Sequence, residues 1–393
     1  MARQTIAGLA LLMLSTFCMT GCDNEGYSDD MRYPARTDPI FIKAPDTQPY
    51  TVDPPGALNQ LPARIKELGG KILDPKDLTA KKSQERGQLE KRLEEKFGTP
   101  AHPKVDGKVG DSEEDLAEVL KLRDEDGKDM LAAGSKLFRR HCLHCHGLTG
   151  DGHGPTAEWV NPHPRDYRQG IFKFSSSNQP AGTRKPRRED LTRTLRNGIE
   201  GTSMPSFGLL SDSDLDELVS YVIHLSLRGE VESVVMQKLL GDDNLEDDSV
   251  VAETDKQVGR LANYWVQAQA VKSLIKPDPY PGFSEKSVKN GYKLFIDQSQ
   301  AGCVSCHKDF GRQNNYKWDD WGTIVRPIDF TSGVFRGGRR PIDLYWRIHS
   351  GIRGSGMSAF FGPLNSDQIW DLVNFLQVLP YPEMRRKYGI EID

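Results

Sequence analysis

The stretch HCLHCHG, residues 141–147, holds two cysteines separated by two residues, with a histidine directly after the second cysteine. The same CxxCH spacing returns in CVSCH at residues 303–307. The chain has six cysteines; Cys18 and Cys22 lie near its start, and the other four form these two motifs. Two matches that use every cysteine of the chain body are poorly explained by chance.

CxxCH is the attachment pattern of a c-type haem. Each thiol must reach one vinyl group on the same edge of a porphyrin, and the adjacent histidine then becomes the proximal iron ligand. The spacing therefore predicts two covalently bound haem c groups. Their residues would be Cys142, Cys145 and His146 for the first, and Cys303, Cys306 and His307 for the second.

Two other uses of CxxC pairs remain as alternatives. Four cysteines could hold one tetrahedral zinc ion, but the pairs lie about 160 residues apart, far beyond the usual spacing of structural zinc sites. Zinc also gives no reason for a histidine after both pairs. A thiol-redox CxxC would need a βαβ pattern around it, which the sequence lacks.

Residues 1–21 have the features of a lipoprotein signal peptide. Arg3 supplies a positive charge, residues 6–17 form a short apolar core, and Met19-Thr20-Gly21-Cys22 resembles a bacterial lipobox. Lipidation of Cys22 would leave no unassigned thiol in the mature protein. The alternative is an ordinary secretory signal with Cys22 incidental. We expect a lipid anchor at the periplasmic face of a bacterial membrane, and Asp23 after Cys22 favours the inner membrane.

The remaining chain divides by composition. Residues 22–125 are rich in proline and charge and predict a partly helical tether, a solvated spacer rather than a domain. The alternative is a segment that becomes ordered against a partner subunit. The sequence of residues 231–280 predicts an acidic linker followed by a helix. The net charge of −4 gives no support for nucleic-acid binding.

Residues 126–230 and 281–393 carry an internal repeat. The segment P-R-D-Y-x-x-G-I-F-K at 164–173 matches P-I-D-F-x-x-G-V-F-R at 327–336. Further along, G-I-x-G at 198–201 matches G-I-x-G at 351–354, and Met204 then corresponds to Met357. Apolar spacing predicts a helix before the first CxxCH motif and another after Met204. Two copies of one domain explain these matches.

Each copy resembles class I cytochrome c, in which a helix, CxxCH, a loop and a methionine precede a C-terminal helix. The resemblance covers a little over half the chain and implies an all-α fold of two tandem cytochrome c-like domains. It also implies that Met204 and Met357 are the distal iron ligands. The second copy has Met357-Ser358 where the family has Met-Pro, and His153, His163 and His349 are competing candidates.

Two basic clusters precede the methionine segments, Arg184–Arg188 in the first copy and Arg336–Arg340 in the second. Such clusters are usually solvated surface. They could instead pair with haem propionates or attract an acidic partner.

These features predict a dihaem cytochrome c that relays single electrons between a redox donor and an acceptor, an electron carrier more than an enzyme. The pattern also resembles cytochrome subunits of respiratory complexes, with a quinol-oxidising complex or a terminal oxidase as partner. The alternatives are a dihaem cytochrome c peroxidase-like enzyme, which needs one haem open to peroxide, and a haem-based sensor subunit.

Overall fold

The computed structural model describes residues 26–42, 61–67, 69–108, 116–241, 250–313, 315–390 and 392. The predicted signal peptide, the lipidation site Cys22 and the most acidic part of the predicted linker, residues 242–249, lie outside these residues. None of the helices within the described ranges is long and apolar enough to cross a membrane.

The described chain is mainly helical, which confirms the predicted all-α class. Its α-helices are α1 Leu61–Glu67, α2 Ala80–Phe97, α3 Leu116–Val119, α4 Met130–His141, α5 Leu143–His146, α6 Arg188–Asn197, α7 Asp212–Leu240, α8 Val250–Gln269, α9 Glu285–Ile296, α10 Pro341–Ser350, α11 Ser366–Val378 and α12 Pro382–Tyr388. Two small antiparallel pairs accompany them: β1 Ile40–Ile42 with β2 Lys71–Leu73, and β3 Lys317–Trp318 with β4 Ile324–Val325.

In the first domain, α4 packs across α7, and this crossing positions the first CxxCH motif. Asp129 caps α4 by accepting a hydrogen bond from Leu131 N, and Ser211 caps α7 in the same way through Asp214 N. The helices touch at Gly134, where an added Cβ would lie 2.2 Å from the carbonyl oxygen of Glu217. Only glycine allows this close an approach.

The second domain repeats this crossing with α9 and α11. A Cβ on Gly291 would lie 2.0 Å from the carbonyl oxygen of Asp371. Ser284 caps α9 and Asn365 caps α11, each by accepting from a backbone N–H three residues later. The repeat seen in the sequence is therefore a repeat of helix packing.

Helix α2, in the N-terminal segment, is packed on the first domain and is not the predicted solvated spacer. Leu89, Leu93 and Phe97 of α2 are at most 1% exposed and belong to the core of the first domain. His224 of α7 bonds through Nε2 to the carbonyl oxygen of Phe97 at 2.9 Å. An apolar residue every fourth position gives α2 one buried stripe among its charges, which is enough to hold it on the domain.

The predicted linker, residues 231–280, begins within a helix of the first domain. Helix α7 does not stop near residue 230 but continues to Leu240, with Val231, Val235 and Leu239 buried. The predicted linker helix is present as α8, whose Trp265 is fully buried. The end of α7 and helix α8 thus extend the first domain's core, because both carry apolar faces that cover each other.

Polar contacts join the two domains. The Arg353 guanidinium donates to the carbonyl oxygens of Arg184 and Gly182, and Arg184 donates to that of Ser350 at 2.5 Å. Trp321 Nε1 donates to the carbonyl oxygen of Asp166 at 3.1 Å, while the Arg165 guanidinium lies 3.4 Å from the Trp321 ring centre. These contacts bring the two CxxCH domains side by side.

Candidate cofactor sites

A cavity of about 280 Å³ in the first domain brings the first set of predicted residues together. Cys142, Cys145, His146 and Met204 all line it, together with side chains of α6 and the loop that precedes it. The second domain has an equivalent cavity of about 470 Å³ lined by Cys303, Cys306, His307 and Met357. Each cavity thus joins residues that are far apart in the sequence.

The four cysteines are free and are divided between the two cavities. A single tetrahedral zinc site built from all four is therefore incompatible with the structure. Within the described residues there is also no cluster of three or more histidine, cysteine or acidic side chains suited to a metal ion.

The buried thiols do not match a thiol-redox site either. Burial raises the pKa of Cys142 and of Cys303 to about 12. Redox-active cysteines need a lowered pKa, because the thiolate is the reactive form. The environment instead suits sulfur atoms that lie in an apolar wall.

The two predicted proximal histidines are held in the same way. His146 Nδ1 lies 3.0 Å from the carbonyl oxygen of Arg165, and His307 Nδ1 lies 3.4 Å from that of Ile328. Burial lowers the pKa of each imidazole to about 4, so both rings are neutral at pH 7. A neutral ring that donates from Nδ1 presents the lone pair of Nε2, which is the form that binds a metal.

An aromatic ring packs on each histidine. Tyr167 stacks on His146 with ring centres 4.8 Å apart, and Phe330 lies 4.6 Å from His307. The matched segments 164–173 and 327–336 therefore supply both the carbonyl and the ring that orient the histidine. The repeat in these segments was visible in the sequence, but their function was not assigned from it.

The two methionines lie in loops that share the same backbone hydrogen bonds. Ile199 N donates to the carbonyl oxygen of Met204 at 3.1 Å, and Ile352 N donates to that of Met357 at 3.0 Å. The residue three positions after each methionine, Phe207 or Phe360, is bonded to the helix before the loop. Ser358 in place of proline therefore leaves the loop's hydrogen bonds unchanged.

The competing histidines are less well placed. His163 lines the first cavity, but its Nδ1 bonds the carbonyl oxygen of Pro164. His153 is exposed and packs against His163, with ring centres 5.0 Å apart. His349 packs between Tyr345 and Phe361 and is not among the side chains that line the second cavity.

Cations, and no carboxylates, line both cavities within the described residues. The first cavity has Arg165, Lys173 and Arg336, and the second has Lys173, Lys317, Arg326, Arg336 and Arg347. A flat apolar ring that carries carboxylates matches such walls, because the ring fills the apolar space and the carboxylates meet the cations. Together with the thiols, the histidines and the methionines, these walls fit haem c.

The first basic cluster is not solvated surface. Lys185 is fully buried and lies 2.6 Å from Glu230, and Arg188 pairs with Asp216. Arg187 donates to carbonyl oxygens at the C-terminal end of α8. These side chains hold the loop before α6 in place. In the second cluster, Arg340 pairs with Asp343, whereas Arg336 faces both cavities.

The family comparisons agree with this geometry. Residues 129–222 match the model for cytochrome c oxidase, cbb3-type, subunit III, and residues 288–380 match the model for cytochrome c. Two cytochrome c domains lie in tandem in this chain. Cytochrome c domains bind haem c and exchange electrons with redox partners. The domain arrangement of this chain is therefore that of a dihaem c-type cytochrome.

No curated protein sequence matches the chain. Among solved structures, the reducing HAO-like protein complex of Kuenenia stuttgartiensis is similar, with 23% identity and a TM-score of 0.46. That similarity covers 63% of this chain and 95% of the other. It is too low to support a functional inference about the tandem cytochrome c domains.

Proposed function

We propose that this chain relays single electrons as a dihaem cytochrome c. Cys142 and Cys145 would hold the first haem through thioether bonds, with His146 and Met204 as axial ligands. Cys303, Cys306, His307 and Met357 would do the same for the second. Bound haem would supply iron that alternates between Fe(II) and Fe(III), one electron at a time.

The chain's own residues would set the properties of each site. The carbonyl oxygens of Arg165 and Ile328 orient the histidines through Nδ1, and a hydrogen bond at that atom raises the basicity of the ligand. A methionine sulfur favours the reduced state and raises the potential. The apolar side chains around each site exclude water, which limits the rearrangement that accompanies a change of charge.

One observation carries the proposal: each cavity unites a CxxCH motif, a histidine fixed through Nδ1 and a loop methionine. The test is to produce the full chain with c-type maturation, denature it and stain it for haem. We expect haem to stay with the denatured chain and a redox titration to show two one-electron centres. Haem that is lost on denaturation would contradict covalent attachment.

We further propose that the protein works at the periplasmic face of a bacterial membrane, anchored through lipid on Cys22. The lipobox-like segment supports this, because an anchor would keep the domains near membrane partners. The replacement Cys22→Ala should release the cytochrome into the soluble periplasmic fraction. The matched control is Cys18→Ala, because Cys18 lies within the predicted signal peptide; this variant should stay on the membrane. Release of both variants to the same extent would contradict the lipid anchor on Cys22.

The proposed partners are respiratory complexes, with a quinol-oxidising complex or a terminal oxidase as donor or acceptor. The similarity of the first domain to a subunit of cbb3-type oxidases supports this choice. Copurification from solubilised membranes tests it: a respiratory complex should accompany the wild-type chain. Its absence, with haem and anchor intact, would indicate a free carrier.

A further inference from the structure

The two cofactor cavities share a wall. Lys173, Phe174 and Arg336 line both of them. Lys173 and Phe174 come from the first domain and Arg336 from the second, so each cavity is completed by a residue of the other domain. The two sites are therefore neighbours across one layer of side chains.

Matching residues of the repeat contact each other at the shared wall. Lys173 and Arg336 occupy matching positions, and the next residues, Phe174 and Gly337, touch each other directly. A Cβ on Gly337, whose φ is +84°, would lie 2.4 Å from Phe174 Cδ1. When matching residues contact each other, the interface has the reciprocal pattern of a symmetric dimer.

A second pair of matching contacts supports this symmetry. A Cβ on Gly201 would lie 2.6 Å from the side chain of Val334. A Cβ on the matching Gly354 would lie 3.2 Å from that of Ile171, which itself matches Val334. The two domains thus pair in the manner of two copies of one subunit, and both cations lie in the wall between the two cavities.

Among the described residues, Lys173 has a counter-charge and Arg336 has none. Lys173 Nζ forms an ion pair with Asp319 Oδ2 at 3.7 Å, and Asp319 also accepts bonds from Trp321 and Thr323. The Arg336 side chain has no hydrogen-bond or ion-pair partner within the described chain, and its Nε is buried. A partly buried cation without an anion is costly, so Arg336 makes this wall suited to receive carboxylates.

We propose that Lys173 and Arg336 bind propionate carboxylates of both haems and thereby couple the two redox sites. The inference rests on the proposed function and goes beyond it, because it assigns one pair of residues to both sites. A cation at the shared wall favours the reduced state on both sides. An electron on one side then makes reduction of the other side less favourable, since both negative charges act across the same layer.

The test is a spectroscopic redox titration of Lys173→Met and Arg336→Met in the full haem-loaded chain. Each single replacement should lower the potentials of both sites, with a reduction equilibrium constant about tenfold smaller at each, or about 59 mV. Lys173→Arg and Arg336→Lys keep the charge and should restore the wild-type potentials. The matched control is Arg326→Met, because Arg326 is exposed and lines only the second cavity. It should shift only the second site.

The possible results distinguish the shared carboxylate wall from the electron-transfer function. If each shared-wall variant shifts one site only, or if only thermal stability falls, the shared carboxylate wall is wrong while electron transfer stands. If the wild-type chain shows no reducible haem, the proposed function fails, and the inference fails with it.

Discussion

The two cytochrome c domains share their cofactor machinery and differ in what supports it. In both, a glycine allows two helices to cross, a carbonyl fixes the histidine, and a loop presents a methionine. The first domain adds a 29-residue helix α7 that packs with α2 and α8, whereas its counterpart α11 has 13 residues. Residues that would touch haem are thus repeated closely, while the outer support has diverged.

The largest expected effect is the loss of one haem when one cysteine pair is replaced, which tests whether the two sites bind haem independently. Cys142→Ser with Cys145→Ser should remove covalent haem from the first domain only, because each cavity holds its own cysteine pair. The haem content per chain should fall from two to one, measured as pyridine haemochrome. The matched pair Cys303→Ser with Cys306→Ser should give the same number. Loss of both haems from either variant would contradict independent attachment.

The glycine at each helix crossing should be needed equally in both domains. Gly134→Ala and Gly291→Ala place a methyl group against a backbone carbonyl, and each should lower the free energy of unfolding by about 3 kcal/mol or more. Chemical denaturation measures this. Gly87→Ala is the control, because a Cβ there meets nothing within 4 Å in helix α2. It should stabilise the protein by about 1 kcal/mol; equal effects at all three positions would contradict the packing argument.

Acid should weaken the first domain more than the second. Burial lowers the pKa of His224 to about 4. The corresponding residue in the second domain is the buried Val378, because each of the two lies three residues after the aromatic residue at its helix crossing. Between pH 6.5 and 4 the unfolded chain binds a proton that the folded domain does not. Stability therefore falls as the pH falls, by as much as about 3 kcal/mol.

The replacement His224→Val tests this directly. It removes a ring that stacks on Tyr221 and lies near Arg228, so the variant should be less stable at pH 7. Its stability should nevertheless change less between pH 6.5 and 4 than that of the wild type. Parallel pH profiles for the two proteins would show that another group causes the acid sensitivity.

The methionines should have the smallest of these effects on free energy and none on attachment. Met204→Ala and Met357→Ala should each lower the potential of one site by on the order of 100 mV, since loss of the sulfur ligand favours the oxidised state. Redox titration of both variants would assign the two potentials to the two domains. An unchanged potential in one variant would remove that methionine from the ligand set.

Much of the fold and the core of each site could be predicted from the sequence, because these features depend on local spacing. The CxxCH motif and the methionine after it each constrain their immediate neighbours. The buried stripe Leu89, Leu93 and Phe97 was also present in the sequence, as apolar residues every four positions. The charged residues around this stripe favoured the prediction of a solvated spacer. The residue that bonds the end of the stripe, His224, is 127 residues away in the sequence.

The shared wall could not be predicted, for a physical reason. Lys173 and Arg336 were aligned as equivalent residues, but an alignment of two copies does not say how the copies pack against each other. That packing depends on the fit between surfaces, such as the space that Gly337 leaves for Phe174. The carbonyl oxygens of Arg165 and Ile328 were invisible for a similar reason, since any residue has one.

Exposure of the reduced protein to carbon monoxide tests the central claim most directly, that both sites are closed electron-transfer centres. Carbon monoxide binds ferrous haem only where an axial position is open or its ligand is labile. We predict that the visible spectra of both haems stay unchanged, because in the proposed sites Met204 and Met357 would occupy the remaining positions. A carbon monoxide spectrum at either haem would contradict the account and point to ligand-binding chemistry at that domain.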